Sequence, residues 1–206
     1  MLKLDHFAFG VGKLKSGILQ MSEILGADPI GGGKHPLFGT HNALWRIETS
    51  SYPIYLEVIA IDYDAITPAR SRWFGLDDSL VQDRIKNKPS LLTFIANTTD
   101  IIKASKNMPQ DIGKPIKVSR DNLSWKFSLL DDGSLIDNGA LPYLIEWPKG
   151  AKPVDNMAGQ NIRLLSMGGA RLSELDMDFP CEVKTTNAGL EIVLLSARNE
   201  QCYFSS

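Results

Sequence analysis

Hydrophobic and polar positions change their period several times along this chain, and each change marks an element. Residues 3–11 alternate apolar with polar or small types and carry Phe7, Phe9 and Val11, which predicts a strand. From Lys13 to Leu25 the apolar positions Leu14, Ile18, Leu19, Met21, Ile24 and Leu25 form one helical stripe, and Gly26 is placed to end it. Pro29 and Gly31 to Gly33 read as a flexible stretch open to unusual backbone angles. Strands are predicted at about 41–48 and 53–61, with Ser50, Ser51 and Pro53 at the turn between them.

A similar order of strand, helix and further strands then recurs. A strand is predicted at 90–98, and a short helix from Asp100 to Asn107 opens on Asp100 as its cap. Three more strands follow, Pro115 to Ser119, Leu123 to Leu130 and Leu141 to Trp147, with Asp131-Asp132-Gly133 as a turn. The repeat lies in element order, not residue identity. It divides the chain into a first βαβββ module at 1–62, a connection at 63–89, a second module at 90–149 and a remainder at 150–206. The connection carries Arg70, Arg72, Trp73, Phe74 and Gly75, a content unlike a plain linker. In the remainder, strands at 161–167, 181–186 and 189–196, a short helix at 170–175 and a hairpin turn at Asn187-Ala188-Gly189 predict an appended αβ unit that covers the sheet. Open sheet edges invite pairing, so edge cover by this unit or a homodimer contact is expected.

Composition narrows the function classes. With 22 Lys+Arg against 24 Asp+Glu and no basic run, there is no nucleic-acid footprint. No apolar stretch approaches the roughly 20 residues that span a bilayer. The N-terminus runs directly into a strand pattern without a signal-peptide signature, so a cytoplasmic location is expected. Cys181 and Cys202 make neither a disulfide framework nor a metal site and read as reduced, partly buried fillers.

The candidate chemistry gathers on few residues. Of three histidines, His6 sits inside the first strand, where its imidazole must face solvent or a polar pocket. Glu57 is flanked by apolar residues in Tyr55-Leu56-Glu57-Val58, and a carboxylate there is costly to bury unless paired or metal-bound. Glu146 ends a similar run, Tyr143-Leu144-Ile145-Glu146, in the second module. If a pseudo-twofold axis relates the modules, His6, Glu57 and Glu146 form a divalent-metal set with positions left for substrate oxygens. The plainer reading pairs these glutamates with Arg46, Arg70, Arg72 or Arg120. His35 and His41 flank a tight loop, and His41 is the stronger candidate for ligand contact. Arg72 offers a bidentate grip on a carboxylate or a solvated surface charge, and Trp73 with Phe74 a pocket wall or a plug at one sheet end. Trp125 and Trp147 read as core.

Asp5-His6, Glu57 and Glu146 resemble the metal-ligand positions of the vicinal-oxygen-chelate superfamily, which includes glyoxalase I, extradiol dioxygenases and bleomycin-resistance proteins. His35-Pro36-Leu37-Phe38-Gly39-Thr40-His41-Asn42, Arg72-Trp73-Phe74-Gly75-Leu76-Asp77 and Gly139-Ala140-Leu141-Pro142-Tyr143-Leu144-Ile145-Glu146-Trp147 resemble the glyoxalase-like domain family. The resemblance spans about residues 3–147. It implies an α+β fold in which paired βαβββ modules form a cup, here with the C-terminal unit appended. It also implies a bound Zn, Ni, Mn or Fe ion on His6, Glu57 and Glu146, and a small-molecule ligand contacted by His41, Asn42, Arg72, Trp73 and Thr93. Glu57 and Glu146 would be the catalytic pair, in lyase or isomerase chemistry on an oxygenated metabolite. One position departs from the pattern: Thr93 stands where metal-binding members carry a fourth ligand, often His. That departure keeps a metal-free binding protein open beside the metalloenzyme, and a dioxygenase would need His41 to reach the site. A regulatory or structural cup is a further alternative.

Overall fold

The computed structural model describes residues 1–120, 123–187 and 189–206. The first module runs β1 (Leu2–Gly10), α1 (Leu14–Leu25), β2 (Gly31–His35), β3 (Thr40–Ile47) and β4 (Ile54–Ile61). Gly26 ends α1 in the left-handed region, its N–H donating to the Ser22 carbonyl at 2.8 Å. The connection holds a single 3-10 turn at Trp73–Gly75 and then α2 (Ser79–Ile85). The second module runs β5 (Ser90–Asn97), α3 (Ile101–Ser105), β6 (Lys114–Arg120), β7 (Leu123–Leu129) and β8 (Tyr143–Glu146). Asp100 caps α3 by accepting from the Lys103 N–H at 3.0 Å.

The two modules make one sheet, in the order β2-β3-β4-β1-β5-β8-β7-β6 among the described residues. β1 pairs in parallel with β4, β5 in parallel with β8, and β1 meets β5 antiparallel at the centre. The sheet's ends turn back toward each other: a Cβ on Gly33 of β2 would stand 3.1 Å from Arg120 Cδ of β6. This is the expected α+β cup of paired βαβββ modules.

Period-2 alternation decides what faces the cup. On β1, Phe7 and Phe9 point outward into a core shared with Met21 and Leu25 of α1, while Ala8 packs into the other core and His6 borders the cup. The glycine stretch read as flexible is the strand β2. Gly32 has φ 140°, and a Cβ there would lie 2.3 Å from the Asn42 carbonyl oxygen, so a side chain would break this edge pairing.

The C-terminal stretch contains β9 (Arg163–Gly168), β10 (Met177–Asp178), β11 (Glu182–Lys184), β12 (Glu191–Leu195) and β13 (Gln201–Ser205). β10 lay outside the sequence expectation, whereas β13 is the strand-like segment around Cys202. The helix expected at 170–175 is one 3-10 turn, Leu172–Glu174. A second sheet runs β11-β9-β12-β13, so β9 separates the two strands that the sequence joined as a hairpin. Ala188, at the centre of that expected turn, lies outside the described residues. This sheet covers the outer face of the first module: Ile192, Leu194, Leu164 and Met167 share a core with Phe7, Phe9 and α1. Backbone bonds fasten it, with the Glu48 N–H donating to Ile162 O at 2.8 Å and the Leu164 N–H to Glu48 O at 2.9 Å. Cys181 and Cys202 are free and half-buried, and burial pushes the Cys181 thiol up to about 12, as suits unreactive fillers. No helix among the described residues is long and apolar enough to cross a membrane.

A shared core makes the C-terminal sheet part of the same cooperative unit. Leu194→Ala removes a fully buried side chain and should cost about 2–5 kcal/mol. Urea unfolding followed by both circular dichroism and tryptophan fluorescence should still give one coincident transition. A separate early transition would show that the C-terminal sheet unfolds on its own.

Candidate functional site

Four strands bring polar side chains to one point inside the cup. His6 comes from β1, Asn42 from β3, Tyr55 and Glu57 from β4, and Arg120 from the end of β6, all bordering one cavity of about 30 Å³. That is the space of roughly one water. Aromatic side chains fill the rest: Trp73 and Phe74 from the connection, Trp125 and Phe127 from β7, and Trp147 beyond β8. Residues 152–157 strap over the mouth. Pro153 borders the cavity, Val154 is buried against Leu44 and Tyr55, and Arg46 donates to the carbonyls of Val154 at 3.0 Å and Met157 at 2.8 Å.

The polar centre is a chain of three buried ionisable groups. His6 Nδ1 lies 2.8 Å from Asp5 Oδ1, and His6 Nε2 lies 3.6 Å from Glu57 Oε2. The other Asp5 oxygen accepts from Trp147 Nε1 at 3.0 Å and stands 3.6 Å from Lys152 Nζ. The other Glu57 oxygen accepts from Asn42 Nδ2. Asn42 is itself held, its carbonyl accepting from the Gly33 N–H at 2.8 Å and from Arg120 Nη1 at 3.4 Å. Tyr55 stacks on the imidazole, centroids 4.2 Å apart. Burial opposes charge on His6, yet the Asp5 and Glu57 carboxylates outweigh it and raise the imidazole above its usual value. Burial likewise opposes charge on Glu57, but His6 and Asn42 bring its carboxyl below the usual range. Both shifts run in the direction that favours an imidazolium beside a carboxylate. His35 behaves differently: buried, with Nδ1 3.2 Å from Thr40 Oγ1, it is lowered to about 4 and stays neutral.

The structure brings together only part of the set expected from sequence. His6, Glu57, Asn42 and Trp73 meet at the cavity. Glu146 does not. On β8 it is Ile145 that faces the cup, and Glu146, one residue on, faces the opposite side. There it borders an outer groove, bound by Lys126 Nζ at 2.7 Å and by the Ile101 N–H at 2.8 Å. Thr93 pairs with Ala8, is fully buried, and gives its hydroxyl to backbone carbonyls, including Leu141 O at 3.3 Å. His41 also faces away, because on β3 residues 40, 42 and 44 point inward; burial lowers its imidazole, and Asp62 and Lys34 are its charged neighbours. Arg72 is tied to Asp77, Nη1 to Oδ1 at 2.7 Å, rather than to the cavity. Tyr55, Arg120, Trp125 and Trp147 border the cavity without having been singled out for it, and so does His35, which the sequence ranked below His41. For Tyr55 and His35 the signal was present: each stands two residues from, or directly across the strand pair from, an inward-facing position.

These residues do not make a complete divalent-metal centre. Glu146 is on the other face and Ile145 takes the corresponding inward place on β8, leaving one imidazole and one carboxylate at the cavity. Catalytic zinc is usually held by three protein side chains. Among the described residues no group of three His, Cys, Asp or Glu is arranged to hold a metal ion.

One solved structure shares this architecture. A hypothetical protein from Staphylococcus aureus superposes with TM-score 0.58 at 18% identity, covering 99% of this chain and 84% of that one. At that identity the likeness shows the fold alone. A Streptomyces coelicolor methylmalonyl-CoA epimerase in complex with 2-nitronate-propionyl-CoA has TM-score 0.49 at 15% identity, covering 74% and 98%. The methylmalonyl-CoA epimerase from Mycobacterium tuberculosis has TM-score 0.44 at 15% identity, covering 70% and 87%. No curated protein matches the sequence. The family model of the glyoxalase-like domain matches residues 4–191, nearly the whole of this chain, and the chain belongs to that family.

Proposed function

We propose that this member of the vicinal-oxygen-chelate superfamily is a small-molecule enzyme that moves a proton within its cup, with His6 and Glu57 as the acid–base pair. The observation that carries this reading is the buried Asp5–His6–Glu57 chain at the cavity. Asp5 is the positioning residue, fixing the ring and supporting its charge, and Asn42 does the same for Glu57. The ionised Glu57 would take a proton from a carbon next to a carbonyl, while the His6 imidazolium delivers one to the carbonyl oxygen. Reversal with the proton returned to another position gives an isomer, and loss of a neighbouring group gives a lyase reaction. Exclusion of water by the aromatic walls strengthens both charges' effect on the substrate. A ligand larger than the present space requires the strap at 152–157 or the aromatic plug to move.

A metal-assisted reading keeps one point in its favour. An imidazole backed by a carboxylate at Nδ1, with Nε2 turned to a second acceptor, is the arrangement of a metal-binding histidine. A Zn, Ni, Mn or Fe ion there would have His6 and Glu57 as its protein ligands, with Glu146 out of reach. Binding without turnover is the remaining alternative.

The proton-transfer reading is tested by solvent deuterium exchange into a panel of 2-oxo and dihydroxy compounds, followed by NMR. The wild type should label at least one compound, and Glu57→Gln, which keeps the Asn42 contact possible, should slow it by about 100-fold or more. Saturable binding with no exchange in any compound would leave sequestration as the function.

Histidine titration by NMR checks the electrostatics. His6 should titrate above 6.5, His41 below it and His35 at about 4. The two buried rings act on stability in opposite senses. His6, raised on folding, contributes fully below 6.5 and loses its contribution as pH rises through its folded value. The neutral burial of His35 is fully favourable above 6.5 and becomes a cost as pH falls toward 4. A His6 signal titrating below 6.5 would contradict the imidazolium assignment.

A further inference from the structure

The tryptophan of the connection holds a donor with nothing to donate to. Trp73 is 3% exposed and borders the cup cavity, yet its Nε1–H has no hydrogen-bond partner among the described residues. Buried indole N–H groups usually find an acceptor. Two other tryptophans do: Trp45 donates to Ala27 O at 2.8 Å and Trp147 to Asp5 Oδ2 at 3.0 Å. The Trp73 ring is also wedged in place. It stacks on Phe38 at 3.9 Å and on Phe74 at 5.4 Å, and meets His35 and Phe127 edge-on at 4.9 and 5.5 Å. Apolar packing of this kind needs a flat ring and makes no use of an N–H.

The backbone is strained to hold that ring. Phe74, the next residue, sits at φ 59° and ψ 25°, a left-handed conformation that a bulky aromatic rarely adopts, and Gly75 follows at φ 64°. The Gly75 N–H donates to Gly133 O at 2.8 Å, and Gly133 approaches so closely that a Cβ on it would lie 2.0 Å from the Arg72 carbonyl oxygen. Strain that neighbours hold in place is characteristic of sites that position a ligand group. A second donor is supplied at the same cavity by Arg120, which has no carboxylate partner among the described residues.

We infer that the Trp73 Nε1–H is a specificity-determining donor that receives a substrate oxygen, and that the cup selects a small planar oxyanion, a carboxylate or enolate, held between this N–H and the Arg120 guanidinium. The inference rests on the acid–base reading of the cup: the same oxygen-bearing compound would present its acidic carbon to Glu57. An apolar compound would leave the Trp73 N–H without an acceptor and the Arg120 charge without a counter-charge, and is selected against for that reason.

Pyruvate, a small planar 2-oxo acid, is the probe. The indole N–H region of a proton–nitrogen correlation spectrum carries the signals of the four tryptophans, and Trp73→Phe identifies one by its disappearance. Added pyruvate should move the Trp73 signal downfield saturably. Trp73→Phe, assayed at a temperature where circular dichroism shows it folded, should weaken pyruvate binding by about tenfold. A folded Trp73→Phe that binds pyruvate as tightly as the wild type marks a purely structural Trp73 and overturns the inference. So does a Trp73 signal that stays still at millimolar pyruvate. The two readings fail separately: pyruvate that engages Trp73 but shows no Glu57-dependent deuterium exchange at C3 sinks the acid–base reading alone, and exchange without any Trp73 response sinks this one alone.

Discussion

Charge inside an aromatic cup is the constraint on which the rest of this structure depends. His6 and Glu57 are 3% and 5% exposed, and an unpaired charge at that depth would neutralise or unfold its surroundings. Each is instead held on two sides, His6 between Asp5 and Glu57, Glu57 between His6 and Asn42. Those partners are fixed in turn by Trp147, Lys152, Gly33 and Arg120, which come from both modules and from the strap beyond them. The polar centre is therefore a product of the whole cup. Asp5, His6, Asn42 and Glu57 come from the first module, and the second module and the strap supply groups that hold them.

The outer layer serves the same end. The first module's outward face is covered by α1 and by the C-terminal sheet, which fixes β1 and β4 from behind while the cup face carries the ionisable groups. Arg46 links the layers. It pairs with Glu48, whose backbone bonds the C-terminal sheet, and holds the strap carbonyls over the cup mouth. Displacing the strap would require breaking those two hydrogen bonds.

Most of the sheet was legible in the sequence because alternation and turn residues reveal strands without any knowledge of their partners. The recurring order of strand, helix and strands and the caps Gly26 and Asp100 follow from such local signals, whereas β2 did not, because its glycines read as a flexible stretch. The centre was legible on one side only. Tyr55-Leu56-Glu57 and Tyr143-Leu144-Ile145-Glu146 look alike, but the spacing from tyrosine to glutamate is two in one and three in the other. In a strand that single residue moves Glu146 to the opposite face. The same parity separates His41 from Asn42. Counting from the tyrosine would have found the difference. The unpaired Trp73 N–H and the Arg120 position could not be found that way, because both depend on contacts between elements far apart in sequence.

The central claim is that proton transfer at His6 and Glu57 is intrinsic to the protein side chains. Its most direct test is the deuterium-exchange rate of protein stripped by chelator, with metal content verified by elemental mass spectrometry on the same sample. The account predicts the same rate in stripped and untreated protein. A rate that disappears with the metal and returns in proportion to bound Zn, Ni, Mn or Fe(II) would contradict it and place the ion between His6 and Glu57.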